Sequence, residues 1–257
     1  MKITFLGTGT SQGVPVIACP CKVCSSDDFR DKRLRCSVLV ETKNGNFVID
    51  TGPDFRQQML REQVTKLDAV LYTHEHKDHT AGMDDIRAFN YFQEKHMEMF
   101  LTEQVENALR REFAYVFAED KYPGIPLLNL NRITESPFKL LGMEIIPIPV
   151  SHYILPVFGY RIGNFCYITD AKYIDPKEFS KMRNLDVLVL NALRREKHVS
   201  HLTLDEALQI IDIVKPQKAY LTHLSHQMGL HEDISIELPP HVEIAYDGLK
   251  LEIIDQA

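Results

Sequence analysis

Apolar runs and polar breaks alternate along this chain at two rhythms. Short apolar stretches that read as strands lie near residues 2–6, 36–41, 46–50, 68–72, 143–149, 157–162, 165–169, 185–190, 217–221, 241–245 and 249–254. Helical spacing recurs near 54–62, 83–93, 103–116, 176–182 and 203–214. The last is the best defined. Thr203 can cap it, Glu206 holds the capping-box position, and Leu204, Ala207, Leu208, Ile211 and Val214 recur at helical spacing before Pro216 ends it. Early strands arrive as hairpins and later ones alternate with helices. That mixture predicts two sheets with helices outside them, an α/β (α+β) architecture rather than a doubly wound parallel sheet. Residues 119–137, punctuated by Pro123, Gly124, Pro126 and Pro137, read as a surface loop. No stretch reads as a linker, so residues 1–257 are expected to form a single domain.

Composition narrows the class. The chain is 44% hydrophobic and 25% charged with a formal net charge of −7, which argues against nucleic acid held across a whole surface. A small anionic substrate held by cations is compatible with that charge. The first residues, Met1-Lys2-Ile3-Thr4-Phe5-Leu6-Gly7, read as a strand and turn rather than a signal peptide, and no apolar run is long enough to span a membrane. A soluble, cytoplasmic protein is expected, with a homodimer the commonest oligomer to look for.

The candidate chemistry is concentrated in Thr73-His74-Glu75-His76-Lys77-Asp78-His79, between the apolar stretch Ala69-Val70-Leu71-Tyr72 and the flexible Thr80-Ala81-Gly82-Met83. This places the motif at the carboxyl end of a strand, where open sheets put their chemistry. In an extended segment His74 and His76 point the same way, and a turn at Lys77 can aim Asp78 and His79 at a second position. A helical H-E-x-x-H site is excluded because position 78 is Asp. Several imidazoles and a carboxylate this close suit a two-metal hydrolytic centre, which needs further ligands from elsewhere. His152, Asp170 and His223 each follow a strand-like run and are the candidates.

Cys36 and Cys166 lie in apolar stretches and read as small buried hydrophobes. Cys19-Pro20-Cys21-Lys22-Val23-Cys24 is too crowded for a disulfide framework and reads as a metal site. A closed zinc site needs a fourth ligand; His226 is favoured over His231 because it follows His223 by three residues.

The series His74-x-His76-x-Asp78-His79 with His152, Asp170 and His223 resembles the metallo-β-lactamase superfamily. The opening Phe5-Leu6-Gly7-Thr8-Gly9-Thr10-Ser11-Gln12-Gly13 resembles its phosphodiesterase branch, and Asp50-Thr51-Gly52-Pro53-Asp54 its second-strand turn. The Cys-x-Cys-x-x-Cys with a late histidine is similar to the PhnP-like phosphoribosyl 1,2-cyclic phosphodiesterases. The resemblance implies a four-layer αββα sandwich with two divalent ions, zinc or manganese, between the sheets. His74, His76 and His152 would hold one ion and Asp78, His79 and His223 the other, with Asp170 shared. Cys19, Cys21, Cys24 and His226 would hold a structural zinc. The implied reaction opens a small ribose- or nucleotide-like cyclic phosphodiester to a monoester through a bridging hydroxide, with Asp78 and His201 as catalytic residues. His201 would protonate the leaving group, and His198 competes for that role. Arg194, Arg195 and Lys197 either attract the anionic substrate or form a solvated basic loop. Rival readings on the same scaffold are a transfer-RNA 3′-end nuclease, a thioester or lactam hydrolase, and a non-enzymatic carrier like that of pyrroloquinoline quinone biosynthesis. The acidic charge, the cysteine cluster and the complete ligand set argue against these in turn.

Overall fold

The computed structural model describes residues 1–120 and 122–253. Side chains on successive strand residues point to opposite faces, and here both faces are apolar. Ile3 and Phe5, Val38 and Val40, and Phe47 and Ile49 turn inward to meet Ile145, Tyr160, Phe165, Tyr167, Val187 and Val189 from a second sheet. Their neighbours Leu6, Leu39 and Val48 turn outward onto Phe55, Met59, Ile86, Phe89, Val105 and Leu109 of the covering helices. In the second sheet Cys166, Ile168, Leu188 and Leu190 pack outward on Leu204, Ala207, Ile211 and Val214. The result is an α/β fold of four layers, αββα, as the patterning and the resemblance imply.

The seven-stranded sheet runs Lys250–Glu252, Lys2–Gly7, Ser37–Thr42, Gly45–Ile49, Ala69–Leu71, Met97–Leu101 and Leu128–Arg132 in spatial order. The second runs Tyr173–Ile174, Met143–His152, Leu155–Ile162, Phe165–Ile168, Val187–Asn191, Lys218–Thr222 and Val242–Ile244, with Phe138–Leu140 paired to Met143–His152. The helix Leu204–Val214 carries the full capping box between Thr203 and Glu206. Two ties cross between the sheets just ahead of the histidine motif. Tyr160 Oη donates to the Tyr72 carbonyl at 2.5 Å, and Phe158 N–H donates to the Thr73 carbonyl at 3.1 Å.

Several expectations are corrected. Residues 119–137 are not loop throughout, because Leu128–Arg132 forms an edge strand. Its outward Asn129 and Asn131 amides donate to Glu98 on the neighbouring strand, so its polar positions are satisfied within the sheet. Met97–Leu101 is a further strand, and His231–Glu237 a further helix. The helix expected over 103–116 breaks at Phe113 into Glu103–Glu112 and Ala114–Phe117. The strand expected at 249–254 covers Lys250–Glu252, and Ile254 lies outside the described residues. Among the described residues no helix is long and apolar enough to cross a membrane.

Candidate metal centre

Each candidate ligand leaves the carboxyl end of a strand, and the strand ends of both sheets converge. After Ala69–Leu71 the chain bends at Thr73 and Glu75, rather than staying extended, before His76, which has ψ 150° and begins the short helix Lys77–Thr80. That stretch brings the His74 and His76 rings together edge to face, with centroids 4.7 Å apart. The helical turn then swings Asp78 and His79 around. His152 closes the long strand Met143–His152, with its ring 5.1 Å from that of His76 and 5.9 Å from that of His74. Asp78, His79, Asp170 and His223 offer ligand atoms all within 4.8 Å of one another; so do His152, Asp170 and His201. Asp170 belongs to both groups, and in the second it is His201 rather than His74 or His76 that gathers with Asp170 and His152.

Hydrogen bonds around the cluster decide which ring nitrogen faces inward. Asp50, fully buried, accepts His79 Nδ1–H at 2.7 Å and also the Thr73 N–H and hydroxyl at 2.8 Å each. The Thr73 hydroxyl is thus spent as a donor and accepts from His74 Nδ1 at 2.9 Å. His152 Nδ1–H donates to the Ser200 carbonyl at 2.7 Å. With Nδ1 engaged in each ring, Nε2 is the nitrogen turned to the cluster, the one a cation would take. His74 Nε2 is buried and without a hydrogen-bond partner, a costly arrangement for a folded chain unless a cation completes it, while His79 Nε2 faces Asp78 Oδ2 and Asp170 Oδ2 at 3.2 Å each. His223 is turned differently: Nε2 lies 3.3 Å from Thr10 Oγ1, and Nδ1 lies 3.2 Å from Asp170 Oδ2. The residues present therefore fit divalent cations.

The electrostatics agree. Burial opposes a charge on His79, yet Asp78, Asp170 and Asp50 together hold its proton affinity well above the usual histidine range. Burial alone would raise Asp170, but the His223 and His79 rings hold it well below the usual carboxylate range. A site that binds a proton this firmly through carboxylates offers the same field to a cation. Asp50, Asp170 and His223 all adopt left-handed backbone, with φ of 66°, 57° and 56°. Such strain persists only where surroundings hold it, and it clusters at functional sites.

The His201 ring lies 4.5 Å from that of His152 and 4.8 Å from that of His223. Its buried Nδ1 is 3.8 Å from Asp170 Oδ1 and has no hydrogen-bond partner. Burial and then the His223 ring push its pKa down to about 2. His198 stacks on its outer side at 5.1 Å, one ring further from the cluster. Arg194 is turned to Gln227 and local carbonyls, and Arg195 pairs with Glu237.

At the second motif, Cys19, Cys21, Cys24 and His226 bring ligand atoms within 4.8 Å of one another. His226 Nδ1 stands 3.2 Å from Cys19 Sγ and 3.3 Å from Cys21 Sγ. The Cys24 N–H, then His226, pull the Cys21 thiol down to about 6, into thiolate range. His231 is engaged elsewhere: its N–H donates to Asp31 at 2.8 Å, and its ring accepts from the buried Arg33 at 3.3 Å. Sequence reasoning missed the part played by Asp50. Its position directly after an apolar strand was the available signal, the same one that marked Asp170 and His223.

Comparison with known proteins accords with this geometry. A family model described as a β-lactamase superfamily domain matches residues 45–224. The chain superposes on the crystal structure of a diphosphatase from the PhnP family with TM-score 0.92, 40% identity and 98% of each chain covered. It is 40% identical to an octanoyltransferase of Porphyromonas gingivalis over its whole length, but spans only 52% of that protein. It is 24% identical to a ribonuclease Z of Listeria monocytogenes over 96% of this chain and 97% of that protein. The chain belongs to the β-lactamase superfamily and has a PhnP-like fold.

Proposed function

We propose that the chain hydrolyses a small, anionic phosphodiester, cyclic and ribose- or nucleotide-like, to a monoester. The observation that carries this reading is the buried, unpartnered His74 Nε2 beside Asp170, whose carboxylate gathers with Asp78, His79 and His223 on one side and with His152 and His201 on the other. Two divalent ions, zinc or manganese, held by His74, His76, His152, Asp170, Asp78, His79 and His223, would acidify a water and neutralise charge on the phosphoryl oxygens. A separate zinc held by Cys19, Cys21, Cys24 and His226 would be structural.

The remaining steps belong to the chain. Asp50 and Thr73 engage Nδ1 of His79 and His74, so Nε2 of each ring is the nitrogen presented to a cation. Asp170 stays ionised beside its histidines. His201 serves as the proton donor to the leaving oxygen. The single negative charge of an arriving phosphodiester, which grows as phosphorus is attacked, favours the protonated ring that burial alone disfavours.

A second reading has its own support: the 40% identity to a PhnP-family diphosphatase over nearly the whole chain favours a phosphoanhydride as the bond cleaved. Both readings place attack at phosphorus. The test is hydrolysis of a ribose 1,2-cyclic phosphate and of a nucleoside diphosphate ester by metal-stripped protein, before and after restoring manganese or zinc, followed by phosphorus NMR. Metal-dependent ring opening to one monoester supports the first reading, and cleavage of only the diphosphate supports the second. Absence of turnover on both, by folded and metal-loaded protein, rejects phosphoryl chemistry.

A further inference from the structure

Two parts of the candidate site are joined through one uncharged side chain. Asn191 ends the strand Val187–Asn191 and is fully buried. Its Oδ1 accepts from Ala171 N–H at 2.8 Å, and its Nδ2 donates to the Ala171 carbonyl at 2.9 Å. The side-chain amide thereby pairs with both backbone groups of the residue after Asp170, as a neighbouring strand would. Asp170 needs such support, because its φ of 57° costs an L-residue about 1 kcal/mol. Thr169 fixes the carboxylate by donating to Asp170 Oδ2 at 2.6 Å, while Asn191 fixes the backbone that carries it.

The Ala171 carbonyl accepts a second bond, from Leu202 N–H at 2.9 Å. Leu202 directly follows His201. One carbonyl, oriented by Asn191, therefore anchors both the carboxylate shared by the two halves of the cluster and the loop bearing the proton donor. The residue after Asn191 extends the link, since Ala192 N–H donates to the Thr222 carbonyl at 2.9 Å, next to His223.

We propose that Asn191 is a positioning residue that sets the spacing of Asp170 from His201, and with it cation affinity and the proton-transfer step. The inference rests on the metal-dependent reading above. Supporting residues of this kind change metal affinity by about 10–100-fold when replaced. The test is calorimetric titration of metal-stripped wild type, Asn191→Leu and Asn191→Ser with manganese, alongside steady-state kinetics on whichever phosphate ester the wild type cleaves. The expected result is about 10–100-fold weaker manganese binding in both variants, with kcat reduced and KM little changed in metal-saturated protein. A residue that only fills space would leave affinity and kcat at wild-type values, and that outcome overturns the proposal. Wild type that binds no divalent cation would instead overturn the metal reading beneath it. Where neither variant folds, NMR of the wild type replaces them. The Asn191 side-chain amide resonances should shift on zinc addition while those of Asn90, bonded to Lys95 and Leu127 carbonyls, stay fixed; unmoved Asn191 resonances overturn the proposal.

Discussion

Asp50 is a carboxylate that serves as an acceptor for three donors at once, and the direction His79 faces depends on it. In Asp50→Asn one oxygen becomes a donor, so the amide faces either the Thr73 N–H or the Thr73 hydroxyl and His79 Nδ1–H with the wrong group and can no longer satisfy all three donors. Cation affinity should fall about 10–100-fold while far-UV circular dichroism is retained, and unchanged affinity by titration would exclude this role. Asp247 gives a second, independent residue-scale outcome. Burial raises its carboxyl to about 6, although the Leu34 N–H and Thr8 hydroxyl that it accepts act in the opposite sense. A folded pKa above the usual 3.8 means that ionisation favours the unfolded chain. Stability from this group is therefore complete below about pH 4 and is lost as pH rises through about 6, by roughly 3 kcal/mol. Urea melts across that range should show the slope in wild type and lose it in Asp247→Asn.

At the scale of elements, the site depends on backbones that approach closely. A Cβ on Gly52 would lie 2.2 Å from the Asp78 carbonyl oxygen, where the Thr51 and Gly82 backbones also pair across the turn. Gly52→Ala should cost about 1–3 kcal/mol and displace Asp78, which chemical denaturation and metal titration would register together. Cys21→Ser should lower the melting temperature and remove zinc from the loop held at His226 while the histidine cluster still binds manganese. Retained zinc stoichiometry in that variant would refute the structural site. These elements differ in how readable they were from the chain. Strands such as Val187–Asn191 are buried on both faces, so their residues form continuous apolar runs that declare themselves. Leu128–Arg132 alternates leucine with asparagine at a sheet edge among prolines, so its pattern matches a loop until the Glu98 partners are seen. His152, Asp170 and His223 were legible because each follows an apolar run. Asn191 was not, since an asparagine ending a strand reads as a turn residue and its partner Ala171 lies 20 residues away.

Across the whole molecule, the first sheet delivers His74, His76, Asp78 and His79, and the second delivers His152, Asp170 and His223. Cations bound among them would join two layers that also meet through apolar packing and through hydrogen bonds such as those of Tyr160, Phe158 and Leu224. Binding to the folded state alone stabilises by about 4 kcal/mol per site when the ligand is a thousandfold above its dissociation constant. For a chain of this size each kcal/mol moves the melting temperature by about 2–4 °C. One saturated site should therefore raise it by roughly 8–16 °C. Manganese is the better probe, because thiolates favour zinc and the cysteine loop would then contribute little. Scanning calorimetry of metal-stripped protein with and without manganese should show that rise, and His152→Ala should reduce it. A shift of the wild type smaller than about 2 °C would mean that the two sheets hold their geometry without cations, and the unpartnered His74 Nε2 would then need another explanation.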